Sequence, residues 1–195
     1  MRTSGRIVNR DADLTPDRTP RGYADVRHIP WDTARVRFAG LSDASDGKAG
    51  AGLGMFRASY EFGGALYLDA YALPDGRLDF QTAATLDPLR TSYSRAVGPA
   101  EQAFFNIQFD LLEAQRRAMA RELAALATPT RALAHEIYAR HSAAFGKTSR
   151  RAARQMLGGR DLEAVARGSA YVRDVVGVDN FEAFGLSLEE PGMPK

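Results

Sequence analysis

Residues 99–126, PAEQAFFNIQFDLLEAQRRAMARELAAL, decide the fold. Phe104, Ile107, Leu111, Ala114 and Ala118 recur at helical spacing, and Phe105, Phe109, Leu112, Met119 and Leu123 widen the stripe. A stripe that wide predicts a helix of about seven turns, ~40 Å long, laid against a sheet. Pro99 suits the first helical position, where an N–H would go unbonded anyway, and Glu101 complements the positive end of the helix dipole. Thr128-Pro129 ends the run.

Upstream, the hydrophobic period changes to two. Residues 55–62, 65–73 and 77–86 alternate apolar and polar, with Gly63-Gly64 and Pro74-Asp75-Gly76 as turns. That pattern predicts an antiparallel β-meander with one face covered. Downstream, helical spacing returns at 130–145, with Gly146 as a C-cap. A short helix over 149–157 ends at Gly158-Gly159, and a third covers 160–176 despite Gly168. The fold class is therefore α+β: a meander packed on a long helix, followed by a helical C-terminal half. Residues 1–25, punctuated by Pro16, Pro20 and Gly22, read as an extended arm that needs something to hold it. Residues 26–184 form a single domain and 185–195 a loose tail. The Gly/Ser/Asp-rich stretch 41–54 reads as a connector, because it lacks the Gly-Lys-Ser/Thr ending of a phosphate loop.

Composition narrows the function classes. The 195 residues include 26 Lys+Arg against 24 Asp+Glu, a net charge of +2, and no Cys. The absence of Cys excludes thiol nucleophiles, thiolate metal sites and disulfides. Apolar content of 45% is that of a globular chain. No apolar run approaches the ~20 residues of a membrane span. The first residues lack the apolar core of a secretory signal.

Few residues carry recognisable chemistry. His135 and His141 flank Glu136, but the zinc-protease helix needs its two His at i and i+4. Spacing of i, i+6 sets them about 240° apart round a helix, so both cannot face one ion. His28 is isolated, and there is no G-x-S-x-G elbow. The carboxylate pairs Asp43/Asp46 and Glu189/Glu190 lie in apparent loops and read as solvated. Lys147, Arg150, Arg151 and Arg154, followed by Arg160, fall on one helical face. Such a face could bind phosphate; a solvated or acidic-partner face is the simpler reading. No aromatic residues interleave to stack bases, so nucleic acid is not the expected partner.

The order Trp31, Phe38-Ala39-Gly40, then Ala84-Thr85-Leu86-Asp87-Pro88-Leu89-Arg90-Thr91-Ser92-Tyr93, then the long helix, resembles a known family. It is a domain of unknown function regarded as secreted zinc-dependent proteases. Its strands end in a phrase like A-x-F-D-P-x-R-S-W, and its helix reads roughly H-E-Q-x-H-F-D-I-x-E-x-x-A-R-x-L-R. The resemblance covers about 30–155 and is best over 84–117, where Ala100-Glu101-Gln102-Ala103-Phe104-Phe105-Asn106-Ile107 and Leu112-Glu113-Ala114-Gln115-Arg116-Arg117 follow the pattern. It implies a zincin-like fold and an exported or periplasmic protein. The departures fall on the chemistry. Ala100 and Phe104 stand at the two His positions, and Phe145, before Gly146, stands at the third presumed ligand. Of the family's motif only Glu101, its presumed general base, remains. Catalytic zinc needs about three protein ligands and an open position for water, and hydrocarbon supplies none.

The expectation is a non-catalytic, protease-like scaffold without cofactor, acting as a binding or assembly subunit for a protein partner or a second copy of itself. The degenerate site would be filled by core, with Phe104 and Phe145 buried side by side. The alternatives are a zinc-dependent metalloprotease with other ligands, and a binder of an anionic ligand or nucleic acid through the 147–160 basic face.

Overall fold

The computed structural model describes residues 6–10 (backbone only), 28–38, 60–93 and 97–188. The long helix forms as its sequence dictates: α1 spans Pro99–Ala124 with Pro99 in its first turn. The Glu101 carboxylate accepts the Gly98 N–H at 3.1 Å, which satisfies one of the donors that every helix start leaves over. Phe104, Phe105, Ile107, Leu112 and Met119 are almost wholly buried. α1 is the centre of the molecule, covered by the sheet and by three further helices.

The architecture is α+β as expected, but the main sheet contains a parallel pair and is no pure antiparallel meander. Strands β1 (Arg6–Arg10), β2 (Ile29–Pro30), β4 (Gly64–Ala72) and β5 (Leu78–Leu86) lie in the order β1-β4-β5-β2. β4 and β5 form the expected antiparallel hairpin, whose turn has Gly76 at φ 81°. β1 runs parallel to β4, so this part of the expected arm adds an edge strand to the sheet of its own chain. The strand expected over 55–62 is corrected in part. Its described end, β3 (Tyr60–Glu61), does not extend the hairpin but pairs with β6 (Ser92–Tyr93) in a separate two-stranded ribbon. Gly63 explains the departure. A Cβ there would sit 2.5 Å from the Asp87 carbonyl oxygen, so the chain can cross the end of β5 only without a side chain. Both faces of β4 are buried, not one. Leu66 and Leu68 join the main core, and Ala65 and Tyr67 join Ala83 in a second small cluster.

The helical half also differs in punctuation. α2 runs unbroken over Arg131–Gln155, so Gly146 is no C-cap and 149–157 no separate helix. Ala134, Ile137, Tyr138, His141, Phe145, Ser149 and Ala153 form one buried stripe that continues past Gly146. That burial outweighs the roughly 1 kcal/mol that glycine costs inside a helix. A 3-10 turn at Leu157–Gly159 follows, then α3 (Leu162–Val176), capped by Asp161, whose carboxylate accepts the Ala164 N–H at 2.9 Å. Gly168 is tolerated because α3 comes close to the core there: a Cβ would lie 3.1 Å from the Met156 sulfur. Gly177 ends α3 at φ 88°, and α4 (Asn180–Ala183) follows. The tail is not loose at its start, since Leu186 N–H bonds the Phe181 carbonyl at 2.9 Å. The connector 41–54 and both carboxylate pairs lie outside the described residues, as does most of the arm.

Candidate functional site

At the positions where the resemblance sets zinc ligands, the structure has covered backbone and aromatic core. The Gly158–Gly159 turn lies directly on the first turn of α1. Gly159, at φ 101°, comes so close that a Cβ would be 2.9 Å from Glu101 Cα and 3.0 Å from the Ala100 carbonyl oxygen. Phe104 is fully buried, its ring edge-on to Tyr60 at 5.2 Å and against Phe105 at 5.3 Å. Phe145 is equally buried, against Phe62 at 6.3 Å. The expected side-by-side placement of Phe104 and Phe145 does not hold. The Ser149 hydroxyl donates to Gln108, and Gln115 meets His141, which fixes the antiparallel register of α1 and α2. In that register Phe145 faces Leu111–Leu112, two helical turns or roughly 11 Å along α1 from Phe104. The three positions therefore do not converge on one point.

His135 and His141 part as their spacing requires. His135 is exposed, whereas His141 is buried, with Nδ1 on Gln115 and Nε2 2.9 Å from Glu122. The hydrogen bond from His141, then that from Arg140, holds the Glu122 carboxyl below its ordinary value. Among the described residues no group of three His, Asp or Glu is placed to hold a metal ion.

A polar ladder on α1 is the feature that sequence reading missed. Gln102, Asn106 and Asp110, one turn apart, hold the extended segment 31–38. Gln102 Oε1 accepts the Phe38 N–H at 2.9 Å. Asn106 both accepts the Val36 N–H at 3.0 Å and donates to the Val36 carbonyl at 2.9 Å. Asp110, wholly buried, accepts from Trp31 Nε1 at 2.7 Å, from Arg35 Nη1 at 2.9 Å on both oxygens, and from Asn180 Nδ2 at 2.6 Å. One turn on, Glu113 takes Arg116 and Arg117, and the Arg117 guanidinium lies 5.1 Å from the Trp31 ring centre. Polar residues within the apolar stripe were the available signal. Every member has a partner, so the ladder is a clasp and no reactive group is left over.

The basic face is built as expected. Lys147, Arg150, Arg151 and Arg154 project from the C-terminal half of α2, all exposed, with Arg160 beyond the turn. None has a carboxylate partner among the described residues; Arg154 and Arg160 bond to the Arg150 and Leu157 carbonyls at 3.3 and 3.1 Å. Arg151 also borders a groove of about 680 Å³ between α2 and α3. Its floor is aliphatic, from Ile107, Leu111 and Met156, and its α3 wall carries Arg167, Gly168 and Tyr171. Among the described residues no helix is long and apolar enough to cross a membrane. Comparison with protein-family models, with curated proteins and with solved structures finds no match to this chain.

Proposed function

We propose that this protein is a non-catalytic scaffold, protease-like in its order of elements and zincin-like in its central helix, that serves as a binding or assembly subunit. The observation that carries the reading is the fate of the motif positions. Phe104 and Phe145 are fully buried hydrocarbon, Ala100 lies under a glycine turn, and Glu101 caps its own helix. A general base needs a carboxylate aimed at a water, and one oxygen of this one is held by the Gly98 N–H. What the molecule offers to solvent is recognition chemistry: exposed cations along α2, without an acidic partner among the described residues, beside a groove with an apolar floor.

Elemental analysis and a peptidase assay test this directly. After gel filtration in zinc-containing buffer the protein should retain no stoichiometric zinc and cleave no casein substrate. About one zinc per chain, with cleavage abolished by a chelator, would restore the metalloprotease reading.

A further inference from the structure

We infer that the groove between α2 and α3 receives an acidic amphipathic helix of a partner protein; the inference rests on the binding-subunit reading above and names its ligand. Three features carry it. The first is an unpartnered apolar stripe. Ala164, Gly168 and Tyr171 line the groove from α3 at spacings of 4 and 3; Ala164 is buried at the inner end, and the line opens to solvent at Tyr171, 57% exposed, and at Val175 one turn beyond the groove, 41% exposed. The eleven rises from 164 to 175 span about 16 Å, or three turns, more than the roughly 10 Å that an i, i+3/i+4, i+7 set of anchors needs. Gly168 lets α3 come close to the groove floor, since a Cβ there would lie 3.1 Å from the Met156 sulfur.

The second feature is charge. Residues 146–155 of α2, GKTSRRAARQ, carry four cations and no carboxylate. Among the described residues none of the four has an acidic partner. Across the groove, Arg167 meets Glu163 alone among the described residues, in a loose exposed contact of 3.4 Å. Carboxylates flanking the partner's apolar face would thus find arginines on both walls, and arginine pairs with carboxylate in a two-pronged fork. The third feature is the floor. Ile107, Leu111 and Met156 there take Leu-type anchors, and Tyr171 is the one aromatic side chain of the lining, short of the succession of rings that base stacking uses.

The test uses a synthetic three-turn peptide with Leu at i, i+3, i+4 and i+7 and Glu on both flanks. Its controls are a scramble of the same composition, oleate, and single-stranded DNA. Binding to the full chain is read by fluorescence anisotropy and mapped by amide NMR. The peptide should bind at least roughly tenfold more tightly than its scramble and weaken several-fold between 0.1 and 1 M salt, as the screening length shrinks from about 10 Å to about 3 Å. Amides of 148–156 and 164–171 should shift. Arg151→Glu with Arg167→Glu, both on exposed side chains, should weaken binding at least roughly tenfold while leaving the melting temperature unchanged. Equal binding of the scramble, shifts mapped elsewhere, or tighter binding of oleate or DNA would overturn the inference. Zinc-dependent cleavage with groove binding intact would instead overturn the non-catalytic reading and leave the groove standing, so the two failures are told apart.

Discussion

Replacing Asp110 by Ala should be among the most damaging single substitutions in the chain. The carboxylate is wholly buried and accepts from Trp31, Arg35 and Asn180 at 2.6–2.9 Å. Arg35 shares that burial, its side chain only 8% exposed. Truncation leaves a cation without its counter-charge and two neutral donors without an acceptor. Breaking a buried pair by removing one partner costs about 3–5 kcal/mol. In a chain of this size each kcal/mol moves the midpoint by about 2–4 °C, so the variant should melt roughly 6–20 °C lower. Urea unfolding should show a lower midpoint with an unchanged slope, the sign of lost stability without a changed denatured state. Arg35→Met also destabilises, because Arg35 further donates to Asn180 Oδ1 at 3.0 Å. The double variant should nonetheless be less damaged than the two single costs added, by about 0.5–3 kcal/mol, since the orphaned cation is gone. An Asp110→Ala variant as stable as the wild type, or a cycle additive within about 0.5 kcal/mol, would refute the clasp.

Phe104→Ala should cost roughly 3–5 kcal/mol, and Phe104→His should destabilise too by burying an unpartnered polar ring; a wild-type denaturation midpoint for either would count against a core role. Gly159→Ala should destabilise and be felt at the start of α1, because its Cβ would meet backbone that cannot swing aside; unchanged hydrogen exchange at 98–103 would refute that coupling. Burial pushes the Tyr138 hydroxyl up to about 12, from an ordinary value of 10.0. Its folded pKa is raised, so its contribution is fully present below about pH 10 and is lost as pH rises through about 12. Tyr138→Phe should therefore move the alkaline unfolding midpoint upward, and an unshifted alkaline limb would contradict this.

The helices were legible because burial follows period. The stripe from Phe104 to Leu123 announced α1, and the hairpin followed from alternation around Pro74-Asp75-Gly76. Gly146 misled because local punctuation favours a stop, whereas the buried stripe through Phe145, Ser149 and Ala153 decides the outcome across the whole helix. The edge strand Arg6–Arg10 was hidden because parallel pairing with β4 is a contact about sixty residues away that leaves no local mark. At the candidate site, the lack of metal-donor atoms in the side chains of Ala100, Phe104 and Phe145 could be read residue by residue. The separation of Phe104 from Phe145 could not, since it depends on the register of two helices, set by Gln108 with Ser149 and by Gln115 with His141. The basic face was visible in spacing alone; the groove beside it exists only once α3 is docked.

The ladder on α1 also makes the helix act as a ruler for an extended chain. Four residues of helix advance about 6.0 Å and two residues of strand about 6.6 Å, so the two repeats nearly match. Gln102 and Asn106 therefore meet Phe38 and Val36 while Arg37 turns away, its guanidinium 4.6 Å from the Phe184 ring centre. Such matching is sensitive to parity. One residue inserted between Val36 and Phe38 would turn the Phe38 N–H to the far side and carry Arg37 away from Phe184, whereas two inserted residues would restore the alternation and merely bulge. An odd insertion here should consequently be far more harmful than an even one, a rule that belongs to β-sheets and that this protein extends to the side of a helix.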